Sequence, residues 1–295
     1  MTRISNTLLW LLVSVLAARL GLSALLPFAD TTEPRYAEMA RIMAETGDWI
    51  TPWFDIGVPF WGKPPLSFWT QALSFKLFGV SEFAGRLPSW LANVGIVWLV
   101  YNLRRYLHPD PLGHGAKTQG LWAALIYATT ALGFLSAGTV MTDSFLALGT
   151  SLTLVSLIIR LQGGPPLWGW LFFIGLATGL LAKGPLVLVL AGLPVFLWAL
   201  TFNRWQTLWH SLPWVRGLAL TLLMSAPWYV LAELKTPGFL DYFIVGEHIK
   251  RFVVSGWQGD LYGSAHDFPR GTIWVYLVLA SMPWGLVAVA GVLRN

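Results

Sequence analysis

The sequence predicts an all-α, polytopic integral membrane protein, and three observations carry that reading. Charged residues make up 11% of the 295-residue chain, against about 25% in an ordinary soluble domain. Hydrophobic residues make up 56%, gathered into apolar runs that approach the roughly 20 residues needed to cross a bilayer. The 18 Trp, 29 Gly and 18 Pro suit membrane helices, where Gly and Pro are tolerated and Trp sits at the interfaces. The formal charge of +5 comes without a long basic stripe, so it points to topology and anionic membrane lipids and not to nucleic acid. With no cysteine, disulfides and thiolate metal sites are excluded.

The first apolar run, Leu8 to Phe28, is flanked by Arg3 and carries Arg19 within it. No small-x-small cleavage site precedes a soluble body, so it reads as a spanning helix and not as a signal peptide. Further spans are expected at about 87–103, 120–139, 143–160, 167–182, 184–200, 214–232 and 272–292, about 8 transmembrane helices in total. An N-terminus in the cytoplasm puts Arg3, Arg104, Arg105, Lys117, Arg160, Arg204, Arg216 and Arg294 inside, with Asp110 as the one acid of 14. That distribution obeys the positive-inside rule. Both termini are then cytoplasmic, and two long outer segments remain, 29–86 and 233–271.

Those outer segments have structure of their own. Over residues 33–46, Tyr36, Met39, Ala40 and Met43 form an apolar stripe with Arg35, Glu38, Arg41 and Glu45 elsewhere, the pattern of an amphipathic juxtamembrane helix. Pro34 suits its first turn and Gly47 its end. A second short helix is expected from Pro65 to Phe78, stopped by Gly79, and a third over about 237–252. The Trp-, Pro- and Gly-rich stretch 48–64 reads as a structured loop. No internal repeat and no low-complexity tract is evident.

The polar residues that need explaining all fall on the outer side. Asp30 closes the first helix, and Glu33, Arg35 and Tyr36 open the surface helix. Lys63 stands before a Pro64-Pro65 pair, Asp143 follows Met141-Thr142, Lys183 precedes Gly184-Pro185, and Glu247, His248, Lys250 and Arg251 form a compact group. Ionisable residues at membrane depth face cavities or partners, so an outward cleft lined by carboxylates and cations is expected. Carboxylates there deprotonate hydroxyls; lysine and arginine hold phosphate oxygens. Plainer readings stand beside these: Asp143 as a helix N-cap, Glu33 as a dipole partner, Lys63 and Lys183 as snorkelling side chains, Glu247 to Arg251 as a solvated face. No GxGxxG, GxxxxGK[ST] or HExxH pattern occurs, so a nucleotide at the active site has no support. Gly175 and Gly179 form a small-x3-small spacing that reads as helix packing.

The run from Asp30 to Trp69 resembles the first outer segment of bacterial polyprenyl-phosphate-sugar transferases, membrane glycosyltransferases related to the lipid A aminoarabinose transferase and the protein O-mannosyltransferases. GRLPSWL (Gly85–Leu91), MTDSFL (Met141–Leu146), GLLAKGPL (Gly179–Leu186) and EHIKRF (Glu247–Phe252) resemble later motifs in the same order. The resemblance implies a GT-C type fold in a bacterial inner membrane, with the active site facing the periplasm. It implies an undecaprenyl-phosphate-linked sugar donor, a lipid (lipid A-like) or protein hydroxyl as acceptor, and inversion at the anomeric carbon. A carboxylate of the first segment, Asp30 or Glu33, is the implied base, with Asp143 as a further catalytic carboxylate. Lys63, Lys183 and Arg251 become the donor-phosphate ligands, and Arg35, Tyr36, Glu247 and His248 supporting residues. Two departures stand out. Relatives read Asp-Glu-x-Arg-Tyr where this chain has Thr32-Glu33-Pro34-Arg35-Tyr36, and Glu-Lys where it has Gly62-Lys63. The second removes a glutamate associated with a divalent metal, leaving His248 as the candidate ligand. Residues 1–295 read as a single transmembrane glycosyltransferase domain, the N-terminal part of a longer enzyme. A polyprenyl-lipid flippase or a non-catalytic scaffold is the alternative, separated from a transferase by donor-dependent transfer.

The topology predicts that a cysteine at Asp48 is labelled by an impermeant reagent on spheroplasts while one at Lys117 is not. Equal labelling of both in sealed membranes overturns the orientation.

Overall fold

The structure is a computed structural model, and it describes all residues except 1, 30, 56, 108–113, 255–258, 260, 263–268 and 295, and the side chains of 2, 114 and 252. The all-α reading holds. Helix α1 (Thr2–Leu25) leads to the surface helix α2 (Thr32–Thr46), a small antiparallel hairpin β1 (Trp53–Asp55) and β2 (Val58–Pro59), and α3 (Leu66–Phe78). The bundle continues with α4 (Glu82–Leu107), α5 (His114–Ala128), α6 (Ala131–Ser136), α7 (Asp143–Leu161) and α8 (Leu167–Lys183). A π-helical turn (Leu188–Gly192) runs into α9 (Leu193–Thr201), followed by α10 (Trp205–Ser211) and α11 (Trp214–Lys235). A second π-helical segment (Asp241–Lys250) leads into α12 (Arg251–Val253), then α13 (Thr272–Ser281) and α14 (Trp284–Leu293).

Four of these helices are long and apolar enough to cross a membrane: Arg3–Leu25 within α1, α4, α7 and α11. A fifth arises if α13 and α14, bent by 100°, form one broken span. The other expected spans are shorter or interrupted. The expected 120–139 segment breaks between α5 and α6 at Thr130, whose backbone leaves the helical region at φ −67° and ψ 149°. Thr130 then caps α6 by accepting from the Gly133 N–H at 3.1 Å, as an N-cap threonine does. Met282-Pro283 separates α13 from α14, where proline removes a helical donor. Large apolar side chains lie bare on the outer helix faces: Trp10 is 68% exposed, Val215 80%, Leu223 73% and Ile273 68%. Such faces belong against lipid tails.

The surface helices follow the periodicity. Tyr36, Met39, Ala40 and Met43 are buried against Phe60, Phe68 and Phe75. Arg41 pairs with Glu38 and Glu45 on the opposite face. Gly47 ends α2 at φ 73°, its N–H returning to Met43 O; a residue with a Cβ adopts that conformation at a cost. The loop 48–64 holds the short antiparallel ladder Trp53↔Pro59 and Asp55↔Val58, a hairpin too short for periodicity to reveal. Its first turn is built on Asp48, whose carboxylate accepts from Ile50 N, Thr51 N, Trp53 Nε1 and Lys235 Nζ. The Lys235 contact ties the loop to the end of α11. The labelling position suits exposed Glu45 better than this anchored aspartate.

The closest helix packing is between α7 and α8. A Cβ built on Gly149 would stand 2.6 Å from Gly179 N and 2.8 Å from Gly175 O, and one on Gly175 2.6 Å from Thr153 N. Backbone therefore meets backbone, as the small-x3-small spacing predicts. Gly149→Leu is expected to force the pair apart and destabilise the protein by about 1–3 kcal/mol or more, read as a fall in melting temperature in detergent. Gly192→Ala, where nothing lies within 4 Å, is the neutral comparison; equal effects at the two positions refute the contact.

Candidate active site

The candidate residues come from four elements that meet at one end of the bundle. Asp143 is the first residue of α7 and Lys183 the last of α8, so each charge has the sign its helix end favours. Asp143 Oδ1 accepts from Lys183 Nζ at 2.6 Å, with the side chains 57% and 20% exposed. The N-cap position belongs to Thr142, which makes no capping bond; Asp143 is thus free of capping duty and turned toward the lysine. Gly184 leaves α8 at φ 71°, and a Cβ there would lie 2.6 Å from the Phe243 ring. The AKGP sequence needs its glycine because the second outer segment packs directly on the turn.

His248 fastens that segment down. Its Nδ1 lies 2.7 Å from Phe243 O and its Nε2 3.2 Å from Lys183 O. Both partners are carbonyls, which only accept. Its ring also stands edge-on to Phe243 at 4.7 Å. Glu247, buried, accepts from Arg251 Nη1 at 2.9 Å and from the Tyr242 hydroxyl at 3.2 Å. Lys63 donates to Gly62 O at 2.6 Å, and a Cβ on Gly62 would meet the Phe60 ring at 2.8 Å. Trp61, Tyr242 and Tyr262 stitch the two outer segments together. The Tyr262 hydroxyl accepts from Trp61 N and donates to Pro59 O; Trp61 Nε1 donates to Thr236 Oγ1. Arg35 Nη1 donates to Tyr262 O at 3.1 Å. Burial pushes the Tyr36 phenol above its ordinary pKa, opposed by the Arg35 cation and reinforced by Asp143 and Glu247.

Glu33 is engaged differently from the expectation. It is 3% exposed, and each of its oxygens accepts two bonds: Oε1 from Arg86 Nε at 3.0 Å and Val140 N at 2.9 Å, Oε2 from Arg86 Nη2 at 2.7 Å and Ala29 N at 3.1 Å. Those four donors fill the four lone-pair positions of a carboxylate. Arg86 is equally saturated, giving its remaining protons to the carbonyls of Ser23, Leu26 and Pro27. Burial alone would raise the Glu33 pKa, but the bonds from Arg86, Val140 and Ala29 outweigh it and hold the carboxyl below the ordinary range. Asp30, the other expected base, lies outside the described residues. Arg86 sits in the GRLPSWL run, and its signal in the sequence was an arginine at the start of an apolar helix.

The divalent-metal expectation finds no matching donor set. Among the described residues no three His, Asp or Glu side chains converge. Both nitrogens of His248 face carbonyls, and Glu33, Asp143 and Glu247 are each paired with a cation.

A family model for dolichyl-phosphate-mannose-protein mannosyltransferases matches residues 4–243. The chain belongs to this mannosyltransferase family. Among its curated relatives, the undecaprenyl phosphate-alpha-4-amino-4-deoxy-L-arabinose arabinosyl transferase of Pseudomonas aeruginosa (strain UCBPP-PA14) is 32% identical over 92% of this chain and 48% of its own length. The enzyme of that name from Aeromonas salmonicida is 29% identical over 91% and 47%. The chain thus spans about half the length of the curated relatives it matches. The fold is that of ArnT from Cupriavidus metallidurans, with a TM-score of 0.77 to the structure bound to undecaprenyl phosphate and 0.74 to the apo structure. Identity is 22% in both, over 94% and 95% of this chain and 49% of that one. The mannosyltransferase-family chain therefore has an all-α, multi-pass GT-C fold.

The Glu33–Arg86 pair is expected to dominate acid stability. Glu33 and Asp48 both titrate below their ordinary values of 4.5 and 3.8; at Asp48, burial raises the pKa but bonds from Lys235, Thr51, Trp53 and Ile50 outweigh it. Their contribution is complete above those ordinary values and is lost as pH falls through the lower folded ones. Glu33→Gln should cost about 3–5 kcal/mol by leaving Arg86 buried without its anion and should flatten the acid limb of a melting-temperature profile. The double variant Glu33→Gln/Arg86→Met should recover part of the loss. An unchanged melting temperature in the single variant contradicts the anchoring role.

Proposed function

We propose that this chain is the transmembrane glycosyltransferase domain of a longer enzyme. It moves a sugar from undecaprenyl phosphate to a lipid (lipid A-like) or protein hydroxyl at the outer face of a bacterial inner membrane. The observation that carries the reading is the meeting of both outer segments, 29–86 and 233–271, over the Asp143–Lys183 pair in a chain of this family. In the mechanism, a carboxylate takes the acceptor proton, the acceptor oxygen attacks the anomeric carbon from the face opposite the phosphate, and the polyprenyl phosphate leaves. Cations oppose the charge that grows on the leaving phosphate, and Lys63, Lys183 and Arg251 serve that purpose. Asp30 is the base in preference to Glu33, because a carboxylate whose four acceptor positions are filled has none left for a hydroxyl. Asp143 steers Lys183, and His248 holds the turn from which Lys183 projects.

The topology proposed for residues 1–295 has eight spans, with both ends of this stretch cytoplasmic. The four long helices are joined by α5–α6, α8, the 188–201 helix and the bent pair α13–α14. Arg160, which donates to Ser211 O and to Gly164 O, ties two of the inner connections together at the end away from the site.

In the full-length enzyme, Asp30→Asn should lower transfer by about 100-fold or more while retaining donor binding. Glu33→Gln, corrected for the fraction folded, should keep most of its turnover. An active Asp30→Asn beside a folded, inactive Glu33→Gln moves the base to Glu33. Wild-type enzyme that translocates but never transfers a polyprenyl-linked sugar favours a flippase, and one that does neither a scaffold.

A further inference from the structure

At the end of the bundle away from the Asp143–Lys183 pair, α1, α4 and α5 meet in a seam that gathers positive charge. The Tyr127 hydroxyl donates to Asn93 Oδ1, and a Cβ built on Gly120 would stand 2.9 Å from Tyr101 O. Those two contacts fix α4 and α5 in an antiparallel register in which Arg104 falls opposite Lys117. Arg104 and Arg105 lie one turn beyond Tyr101, on the α4 face that meets α5. Helix α1 closes the seam, with Leu8 and Leu12 packed against Val97, Leu121 and Ala124. The bond from Trp90 Nε1 to Leu16 O runs α1 antiparallel to α4 and brings Ser5 to the same end.

The seam is short of partners. Among the described residues, none of these three cations is in an ion pair. Arg104 Nη1 is buried and meets no acceptor, and neither does the buried Ser5 Oγ find a partner. Between Glu82 and Asp143 the sequence has one acid, Asp110, which lies outside the described residues. Arg105 holds its Cζ 5.4 Å from the Tyr101 ring centroid, which keeps that guanidinium over the seam. A snorkelling cation carries its head out to water, yet Arg104 Nη1 does not reach it. A donor withdrawn from water without an acceptor is costly, and the cost ends when one arrives. Ile4 and Leu107, both exposed on these helix ends, place lipid alongside.

We infer that this seam binds the phosphate of an anionic phospholipid headgroup, with Arg104 Nη1 donating to it and Arg105 and Lys117 adding charge. Basic pockets between spanning helices hold such headgroups. Arg104 stands 18 residues along α4 from Arg86, about 27 Å along the axis. The lipid is therefore a resident of the leaflet opposite the candidate site and no substrate, and the inference is independent of the glycosyl-transfer reading.

The test uses full-length protein in a neutral detergent, with dioleoylphosphatidylglycerol as the probe and zwitterionic dioleoylphosphatidylcholine as the comparison. Binding is followed by native mass spectrometry and by the lipid-induced rise in melting temperature. Wild type should prefer the anionic lipid by about tenfold or more. Arg104→Met removes the charge and the buried donor together. Without lipid it should melt no lower than wild type, while its affinity for the anionic lipid falls about tenfold or more, the equivalent of one charge-assisted hydrogen bond. Arg204→Gln, which removes an exposed cation outside the seam, should bind as wild type does. Unchanged affinity in Arg104→Met, an equal loss in Arg204→Gln, or no preference in wild type overturns the site. So does a gain of about tenfold in Asp110→Asn, which shows the chain's own acid occupying the seam. Should Arg104→Met fold poorly, the exposed pair is tested as Arg105→Gln/Lys117→Gln. A loss of about tenfold there supports the site, and unchanged affinity overturns it.

Discussion

The buried ion pair between Glu33 and Arg86 is the constraint on which the outer half of the molecule depends. It gathers the C-terminal carbonyls of α1, the first turn of α2, the start of α4 and the strand of chain before α7 onto two side chains. Every proton of the guanidinium and every lone-pair position of the carboxylate is used, which is what a charge pair needs before it can tolerate removal from water. Phe28 lies against the guanidinium, 5.0 Å from Cζ to the ring centroid, and completes the dry shell. Without this joint, the start of α2 would lose its ion pair and its bonds to Ala29 and Val140, and Arg35 and Tyr36 follow directly from that start.

The second outer segment is held by a different kind of joint. Here aromatic ring contacts and single hydrogen bonds hold it: Phe239 stacked on Phe243, Phe243 edge-on to His248, Tyr262 tilted against Phe60. Asp48 and Lys235 add one ion pair at its beginning. The site is therefore framed by one wall clamped by saturated charge and another resting on aromatic faces. The first is suited to keeping a register, the second to small displacements.

What was legible in the sequence was what has a period or a local chemistry. The stripe Tyr36–Met39–Ala40–Met43 gave α2, Gly47 and Gly79 gave two helix ends, and the Gly175–Gly179 spacing gave the contact of α7 with α8. Asp143, Lys183 and His248, scattered over a hundred residues, share a predicted side of the membrane and lie in motifs of one family, and the fold brings them together. Glu33 was the harder case. Its partner Arg86 lies 53 positions away, and nothing local separates a carboxylate that will be saturated from one that will stay open. The breaks inside the expected spans were illegible for a related reason: hydropathy does not register that the backbone of Thr130 turns out of the helix, or that Pro283 divides the last apolar run.

The glycine contact deep between α7 and α8 has a bearing on the surface chemistry. Gly149 lies six residues into α7, about 9 Å along its axis from Asp143, and Gly179 one turn before Lys183. With main chain resting on main chain there, the two helices work as a gauge block: their separation has no compressible side chain in it. A thicker or thinner bilayer can tilt the pair as a unit, yet the spacing of the two backbones that carry Asp143 and Lys183 changes little. The dimension most relevant to the site is in this way insulated from the lipid around it.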